Sequence, residues 1–190
     1  LSQFKKAMRT FVGDLKGRQQ LIAECQNNLG KGYSTIGSFP LAKQNFLLAL
    51  ASAKKQYGNQ HAFVAGVLNN LGDINLQLGN LEDAKNDYKA ALEIDLAVFG
   101  KDHPKVAEDS LKIGQASMLD GKPEQAEKLF LKANEINTKV FGNMHHSIAT
   151  NYNCLGRLEL IKGNKLAAVD HFKKAMGIAK TVFKTLYHPI

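Results

Sequence analysis

Four glycines spaced 42 residues apart constrain the fold of this chain more than any other feature. The series consists of Gly30, Gly72, Gly114 and Gly156, and another glycine follows each of them after seven residues. Other positions recur with the same period: Ala42, Ala84, Ala126 and Ala168; Ala49, Ala91, Ala133 and Ala175; Phe46, Tyr88, Phe130 and Phe172; and Tyr57, Phe99, Phe141 and Phe183. Four copies in register without an insertion indicate a repeat protein.

Each repeat is predicted to contain two α-helices and no strand. In the second repeat, the first helix covers about residues 61–78 and ends at Gly79, which suits a C-terminal cap. The second helix runs from the Gly79-Asn80 pair to about Phe99, with Glu82 and Asp83 in the first turn, where acidic side chains favour the helix dipole. The prolines also fall at expected helix starts: Pro40, Pro104 and Pro123. No strand alternation appears, so the predicted fold class is all-α.

The glycine within each first helix is predicted to serve packing. A glycine costs a helix interior about 1 kcal/mol relative to alanine, so it needs a reason to be there. At Gly72 the missing side chain would let the second helix approach closely, with Ala84 and Ala91 as matching small surfaces and Tyr88 filling the space between layers. Because one repeat cannot bury its apolar face alone, neighbouring repeats must stack to form a continuous core.

The order of these residues resembles the tetratricopeptide repeat (TPR). The second repeat carries the resemblance most clearly, in Leu71-Gly72, Gly79, Ala84, Tyr88, Ala91 and Leu92-Glu93-Ile94. The usual TPR period is about 34 residues. The longer period here is similar to the long-repeat TPRs of kinesin light chains and related scaffold proteins. The resemblance implies a right-handed α-solenoid of stacked antiparallel helix pairs.

A single TPR array is expected to cover residues 1–190. Phe4 and Ala7 precede Phe46 and Ala49 by 42 residues, so residues 1–17 are interpreted as the second helix of a preceding repeat. The four repeats are then expected at 18–59, 60–101, 102–143 and 144–186, with the start of a further one at 187–190. The chain is therefore interpreted as a fragment of a longer array.

Composition and charge narrow the classes of function. Hydrophobic residues make up 44% of the chain and charged residues 22%, which is typical of a globular protein. The net charge of +8 is divided into +7 over 1–58, −4 over 59–100, 0 over 101–142 and +5 over 143–190. Basic ends around an acidic middle differ from the continuous basic stripe of a nucleic-acid-binding surface. No membrane span is predicted, and the two isolated cysteines, Cys25 and Cys154, favour a cytoplasmic, intracellular location.

The residues that suggest catalysis or metal binding have simpler explanations. His61, His103 and His145 recur at the repeat period, and each is expected to cap the helix that follows rather than to bind a metal. The glycine-rich segment GKGYSTIG at 30–37 follows no strand and does not match a phosphate-binding loop. Cys154 is expected to be an ordinary, unactivated side chain. The sequence therefore predicts no enzyme, no metal site and no cofactor.

The candidate binding site follows from the TPR resemblance. This resemblance implies that the first helices line a concave groove and that the residue two positions before the motif glycine hydrogen-bonds a peptide backbone. Asn70 occupies that position and points about 200° away from the packed Gly72. An amide both donates and accepts hydrogen bonds, which suits an extended peptide. The predicted groove residues are Asn28, Lys31, Asn70, Asp73, Lys112 and Arg157.

Together these features predict a non-catalytic scaffold that binds a partner peptide or helix in the groove. The carboxylate clamp of chaperone-binding TPRs is not predicted, because Glu108 stands where a cation is required. Lys31 and Lys112, with the amides, favour an acidic cargo or adaptor segment. Two alternatives stay open: binding of RNA or an anionic surface through the basic ends, and self-association through the repeat ends within a larger assembly.

Overall fold

The computed structural model describes residue 3 and residues 17–187. The described residues contain no strand, and residues 17–187 form eight α-helices: α1 (Gly17–Thr35), α2 (Phe39–Tyr57), α3 (Ala62–Gln77), α4 (Leu81–Phe99), α5 (Pro104–Leu119), α6 (Pro123–Phe141), α7 (His146–Ile161) and α8 (Lys165–Tyr187). The all-α prediction is confirmed for this part of the chain. The predictions for residues 1–17 and 187–190 concern residues that lie largely outside the description.

The helix ends agree with the sequence interpretation. Helices α3 and α4 begin and end within about a residue of the predicted bounds. Gly79 and Gly100 have φ values of 78° and 82°, in the left-handed region that glycine adopts without strain. Pro104 and Pro123 are the first residues of their helices, where a missing backbone N–H costs nothing.

The chain divides into two compact bodies, Leu1–Val98 and Phe99–Ile190. In the N-terminal body, α2 packs against both α1 and α3. Its core includes Ala42, Phe46, Ala49, Val67, Leu71 and Ile74. In the C-terminal body, α5 pairs with α6, and α7 pairs with α8. Each body is thus built from antiparallel helix pairs that bury small and branched apolar side chains between them.

The repeated glycine of each first helix lies directly beneath an aromatic ring of the second helix. A Cβ atom at Gly72 would lie 2.4 Å from Cε1 of Tyr88. The same position is blocked in the other repeats, at 2.6 Å for Gly30 and Phe46, 2.5 Å for Gly114 and Phe130, and 2.6 Å for Gly156 and Phe172. The prediction that the glycines serve close helix packing is confirmed.

The recurring histidines cap three of the first helices, α3, α5 and α7, as predicted. The imidazole Nδ1 atoms of His61, His103 and His145 accept hydrogen bonds from the backbone N–H groups two residues further on, at 3.1, 3.2 and 3.3 Å. Each ring also stacks on the aromatic residue that ends the preceding helix. The centroid distances are 4.2 Å to Tyr57, 4.3 Å to Phe99 and 4.0 Å to Phe141. The extra length of the repeat therefore forms a stacked and capped connection.

Candidate functional site

Three of the predicted groove residues meet at one cavity in the N-terminal body. This first-helix cavity has a volume of about 260 Å³ and is lined by Lys31, Ser34, Thr35, Phe46, Asn70, Asp73 and Ile74. The repeat arithmetic places Lys31 and Asp73 at equivalent positions, one residue after the motif glycine of successive first helices. Helices α1 and α3 thus contribute facing polar side chains above the ring of Phe46.

Asn70 is held in place by an asparagine of the neighbouring first helix. Its Nδ2 atom donates a hydrogen bond to Oδ1 of Asn27 at 2.9 Å. Asn27 is buried, with 7% of its surface exposed, and Asn70 is half-buried. With Nδ2 directed at Asn27, the Oδ1 atom of Asn70 is the acceptor that this amide presents to a ligand. The sequence identified Asn70 but not the residue that orients it.

Asp73 is held by a hydrogen bond to Tyr88, a tyrosine that the other repeats lack. The hydroxyl of Tyr88 donates a hydrogen bond to Oδ1 of Asp73 at 2.8 Å. Burial and the adjacent negative charge of Asp73 raise the pKa of Tyr88 well above its usual range. The other three repeats have phenylalanine in place of Tyr88, and none of them has aspartate in place of Asp73. This joint difference was the available sequence signal for the pair.

The equivalent positions of the C-terminal body differ in chemistry. Lys112 is half-buried and Arg157 is exposed. Gln115 Nε2 donates a hydrogen bond to Sγ of Cys154 at 3.3 Å, which links α5 to α7. Burial raises the pKa of the Cys154 thiol, so the thiol stays protonated near neutral pH. This direction agrees with the expectation that Cys154 is an unactivated side chain.

Asn28 stands apart from the cavity although it occupies a predicted groove position. It is half-buried on α1 and does not line the first-helix cavity. The cavity therefore brings together Lys31, Asn70 and Asp73, whereas Asn28 lies elsewhere on the same helix. The sequence missed Asn27, Ser34 and Thr35 as neighbours of the site, because only the packed helices show which flanks meet.

Two further findings concern the described part of the chain. Among these residues, no three His, Cys, Asp or Glu side chains come together as ligands for a metal ion. Within the same residues, no helix combines the length and the hydrophobicity needed to cross a bilayer.

The family of the chain is established by its match to a family model. The model of the tetratricopeptide repeat matches residues 21–97, 63–116 and 109–181. The chain therefore belongs to the tetratricopeptide repeat family, and the predicted α-solenoid class of stacked helix pairs is confirmed. No curated protein matches the sequence.

Solved structures of similar fold include long-repeat TPR proteins. BtubC (BKLC) from P. vanneervenii has a TM-score of 0.84 at 22% identity, covering 100% of this chain and 74% of that one. TPR-like repeats assigned to a kinesin light chain of Podosopora anserina have a TM-score of 0.78 at 16% identity, covering 96% and 86%. The apo form of RapI has a TM-score of 0.79 at 18% identity, covering 98% and 65%. The chain is thus kinesin-light-chain-like in its fold, as its 42-residue period predicted.

Membership of this family gives the general function. TPR units are repeats whose stacked helices create extended surfaces for binding other proteins. The chain is accordingly a protein-interaction repeat, and its fold is one typical of non-catalytic scaffolds.

Proposed function

We propose that this TPR protein is a non-catalytic scaffold that binds an extended, acidic segment of a partner protein along its first helices. The observation that carries the proposal is the first-helix cavity, where Lys31, Asn70 and Asp73 line one recess. The sequence predicted these groove residues from their positions relative to the motif glycine. Their meeting at a recess supports a ligand at that place.

The polar groups of the cavity suit a peptide backbone with an acidic side chain. Asn70 presents Oδ1 as an acceptor for a peptide N–H, since its Nδ2 bonds Asn27. Lys31 is exposed at the rim, where its ammonium group attracts a carboxylate of the partner. Asp73, held by Tyr88, forms the opposite wall and favours peptides whose own cation or N–H faces it. This arrangement supports one binding orientation over its reverse.

The same residue series supports acidic partners in the C-terminal body. Lys112 and Arg157 occupy first-helix positions equivalent to Asn70 and Asp73. They add positive charge where the second repeat has an amide and a carboxylate. Both cysteines are free and buried, which supports the cytoplasmic location that forms part of this proposal.

The proposal is tested by measuring the affinity of selected peptides for cavity variants. Peptides selected on the wild-type protein from a displayed random library are synthesised, and their dissociation constants are measured by fluorescence anisotropy. Lys31→Ala removes an exposed cation and should weaken acidic peptides about two- to fivefold. Asn70→Ala removes the oriented amide and should weaken them about tenfold.

The controls separate binding from folding and from general charge. Lys89→Ala removes an exposed lysine of α4 outside the cavity and should leave affinity unchanged. Circular dichroism shows whether Asn70→Ala remains folded after Asn27 loses its donor. Peptides that bind all variants equally would refute the proposed site. Tight binding of generic RNA that falls steeply with salt would instead support the alternative function.

A further inference from the structure

A second cavity lies in the C-terminal body and is formed by different residues. This histidine-lined cavity has a volume of about 340 Å³, and its walls include His103, Leu111, Asn137, Phe141, His145 and His146. Its volume falls within the range of about 300–1,000 Å³ in which proteins hold small groups. None of the six predicted groove residues lines it, so its role is independent of the proposed function.

The walls of the histidine-lined cavity are suited to an uncharged group. Leu111 is buried and supplies aliphatic surface, while Phe141 and His145 form a stacked pair of rings. Lys105 and Glu108 also line the cavity, and their side chains pair with each other at 2.9 Å. Because these opposite charges compensate each other, this pair adds no net charge to the cavity.

Asn137 is the unexplained polar group of this cavity. Its side chain is buried, with 3% of its surface exposed. Within the described part of the chain, its amide has no hydrogen-bond partner, although the residue lines the cavity. Buried amides are nearly always hydrogen-bonded to protein, to water or to a ligand, so we expect a water molecule or a ligand as the partner of this amide. The cavity is where that ligand would lie.

Comparison of the four repeats shows that the fold does not require this arrangement. Alanine occupies the position of Asn137 in the first and fourth repeats, at Ala53 and Ala179. Leu111, by contrast, stands where the other three repeats have asparagine. The third repeat thus has aliphatic surface on the first helix and an amide on the second, whereas the second repeat has Asn69 and Asp95 at these positions. Both third-repeat residues fall on the walls of the same cavity.

We propose that the histidine-lined cavity binds a glutamine side chain of a partner polypeptide. The carboxamide of glutamine has N–H donors and a carbonyl acceptor, so it can exchange two hydrogen bonds with the Asn137 amide. Its two methylene groups pack against Leu111 and the rings. A glutamate of the same shape would bury a charge in a cavity whose lysine, Lys105, already pairs with Glu108, which is costly. A leucine would leave the Asn137 amide unpartnered.

The test uses three blocked pentapeptides that differ only in a central Gln, Glu or Leu. Butyramide, which carries the glutamine side-chain group alone, distinguishes a free carboxamide from one on a peptide. Binding is followed by the ¹H–¹⁵N signals of side-chain amides, and the Asn137 signal is identified by its loss in Asn137→Leu. We expect the Gln peptide to shift that signal and to bind about tenfold more tightly than the other two. In Asn137→Leu the preference should disappear.

Thermal unfolding gives a readout that separates ligand binding from a structural role. Asn137→Leu replaces an unpartnered amide by an apolar group of similar size, so the melting temperature should stay the same or rise. Asn137→Ala, which copies the first and fourth repeats, provides a second variant should leucine pack poorly. The matched control Asn143→Leu changes an exposed asparagine outside this cavity and should preserve the Gln preference.

Several results would overturn the proposal. They are the absence of binding by the Gln peptide at millimolar concentration, equal affinity for the three peptides, and an unchanged Gln preference in both Asn137 variants. Butyramide binding without any binding of the Gln peptide would mean that the cavity takes a small carboxamide instead of a polypeptide side chain, which also refutes the proposal.

Discussion

Replacing Gly72 by alanine tests the packing that defines every repeat. The new Cβ would lie 2.4, 2.6 and 2.9 Å from three carbons of the Tyr88 ring, so the ring must move by about 1 Å to restore an ordinary carbon–carbon distance. Overpacking of this kind costs about 1–3 kcal/mol, and weakening the hydrogen bond from Tyr88 to Asp73 adds about 1 kcal/mol. Alanine gains about 1 kcal/mol in helix propensity. The expected net loss in free energy of unfolding is about 2 kcal/mol.

The matched control is Gly66→Ala on the same helix. Gly66 is exposed, and a Cβ built there meets no atom within 4 Å. This variant should therefore gain about 1 kcal/mol from helix propensity alone, and the two alanine variants should differ by about 3 kcal/mol. Urea unfolding followed by circular dichroism measures both. If Gly72→Ala is as stable as Gly66→Ala, the close approach of ring and glycine does not hold the repeat together.

Three further predictions concern the caps and the polar pairs. His103→Ala removes a helix cap and a stacked ring and should lower the free energy of unfolding by about 1–3 kcal/mol. His103→Asn should lower it less, because asparagine also caps helices. Equal melting temperatures of the two variants would contradict this prediction. Tyr88→Phe removes the hydrogen-bond donor to Asp73 and should lower the free energy of unfolding by about 1 kcal/mol. A double-mutant cycle with Asp73→Ala should show that the two residues are coupled. Additive effects would refute the hydrogen bond between them. Burial, and secondarily the charge of His146, lower the pKa of His145. Its contribution to stability should therefore be lost as the pH falls below about 6.5, the ordinary pKa of histidine. The difference between the urea midpoints at pH 7.5 and pH 5.5 should be smaller in His145→Asn than in the wild-type protein. The same difference in both proteins would contradict this prediction.

The repeat period made most of the fold predictable. A fixed spacing of Gly72, Tyr88 and Gly79 specifies two helices, their ends and the surface they share, because helical geometry links spacing to direction. The period also predicted the caps, since a histidine stands in the same place before three of the four first helices, at His61, His103 and His145. The sequence did not predict the stacking of His103 on Phe99, although the two residues recur together four positions apart.

The candidate site was less predictable because it depends on contacts between helices. Position relative to Gly72 identified Asn70 but did not show that Asn27 fixes its amide. A sequence gives the direction of a side chain from its own helix, and not the partner that it meets on the next one. The sequence does not predict the role of Asn137 for the same reason, since the burial of its amide without a protein partner is visible only in three dimensions.

The position of a bound partner peptide is the most direct test of the proposed binding site. A peptide selected on the wild-type protein is titrated into ¹⁵N-labelled protein, and the side-chain amide of Asn70 is followed together with the backbone signals of α1 and α3. We expect these signals to shift together, with Lys31 among the affected residues, and to saturate as the measured dissociation constant requires. Shifts confined to the second helices α2 and α4, with Asn70 unchanged, would show that the peptide binds outside the first-helix cavity.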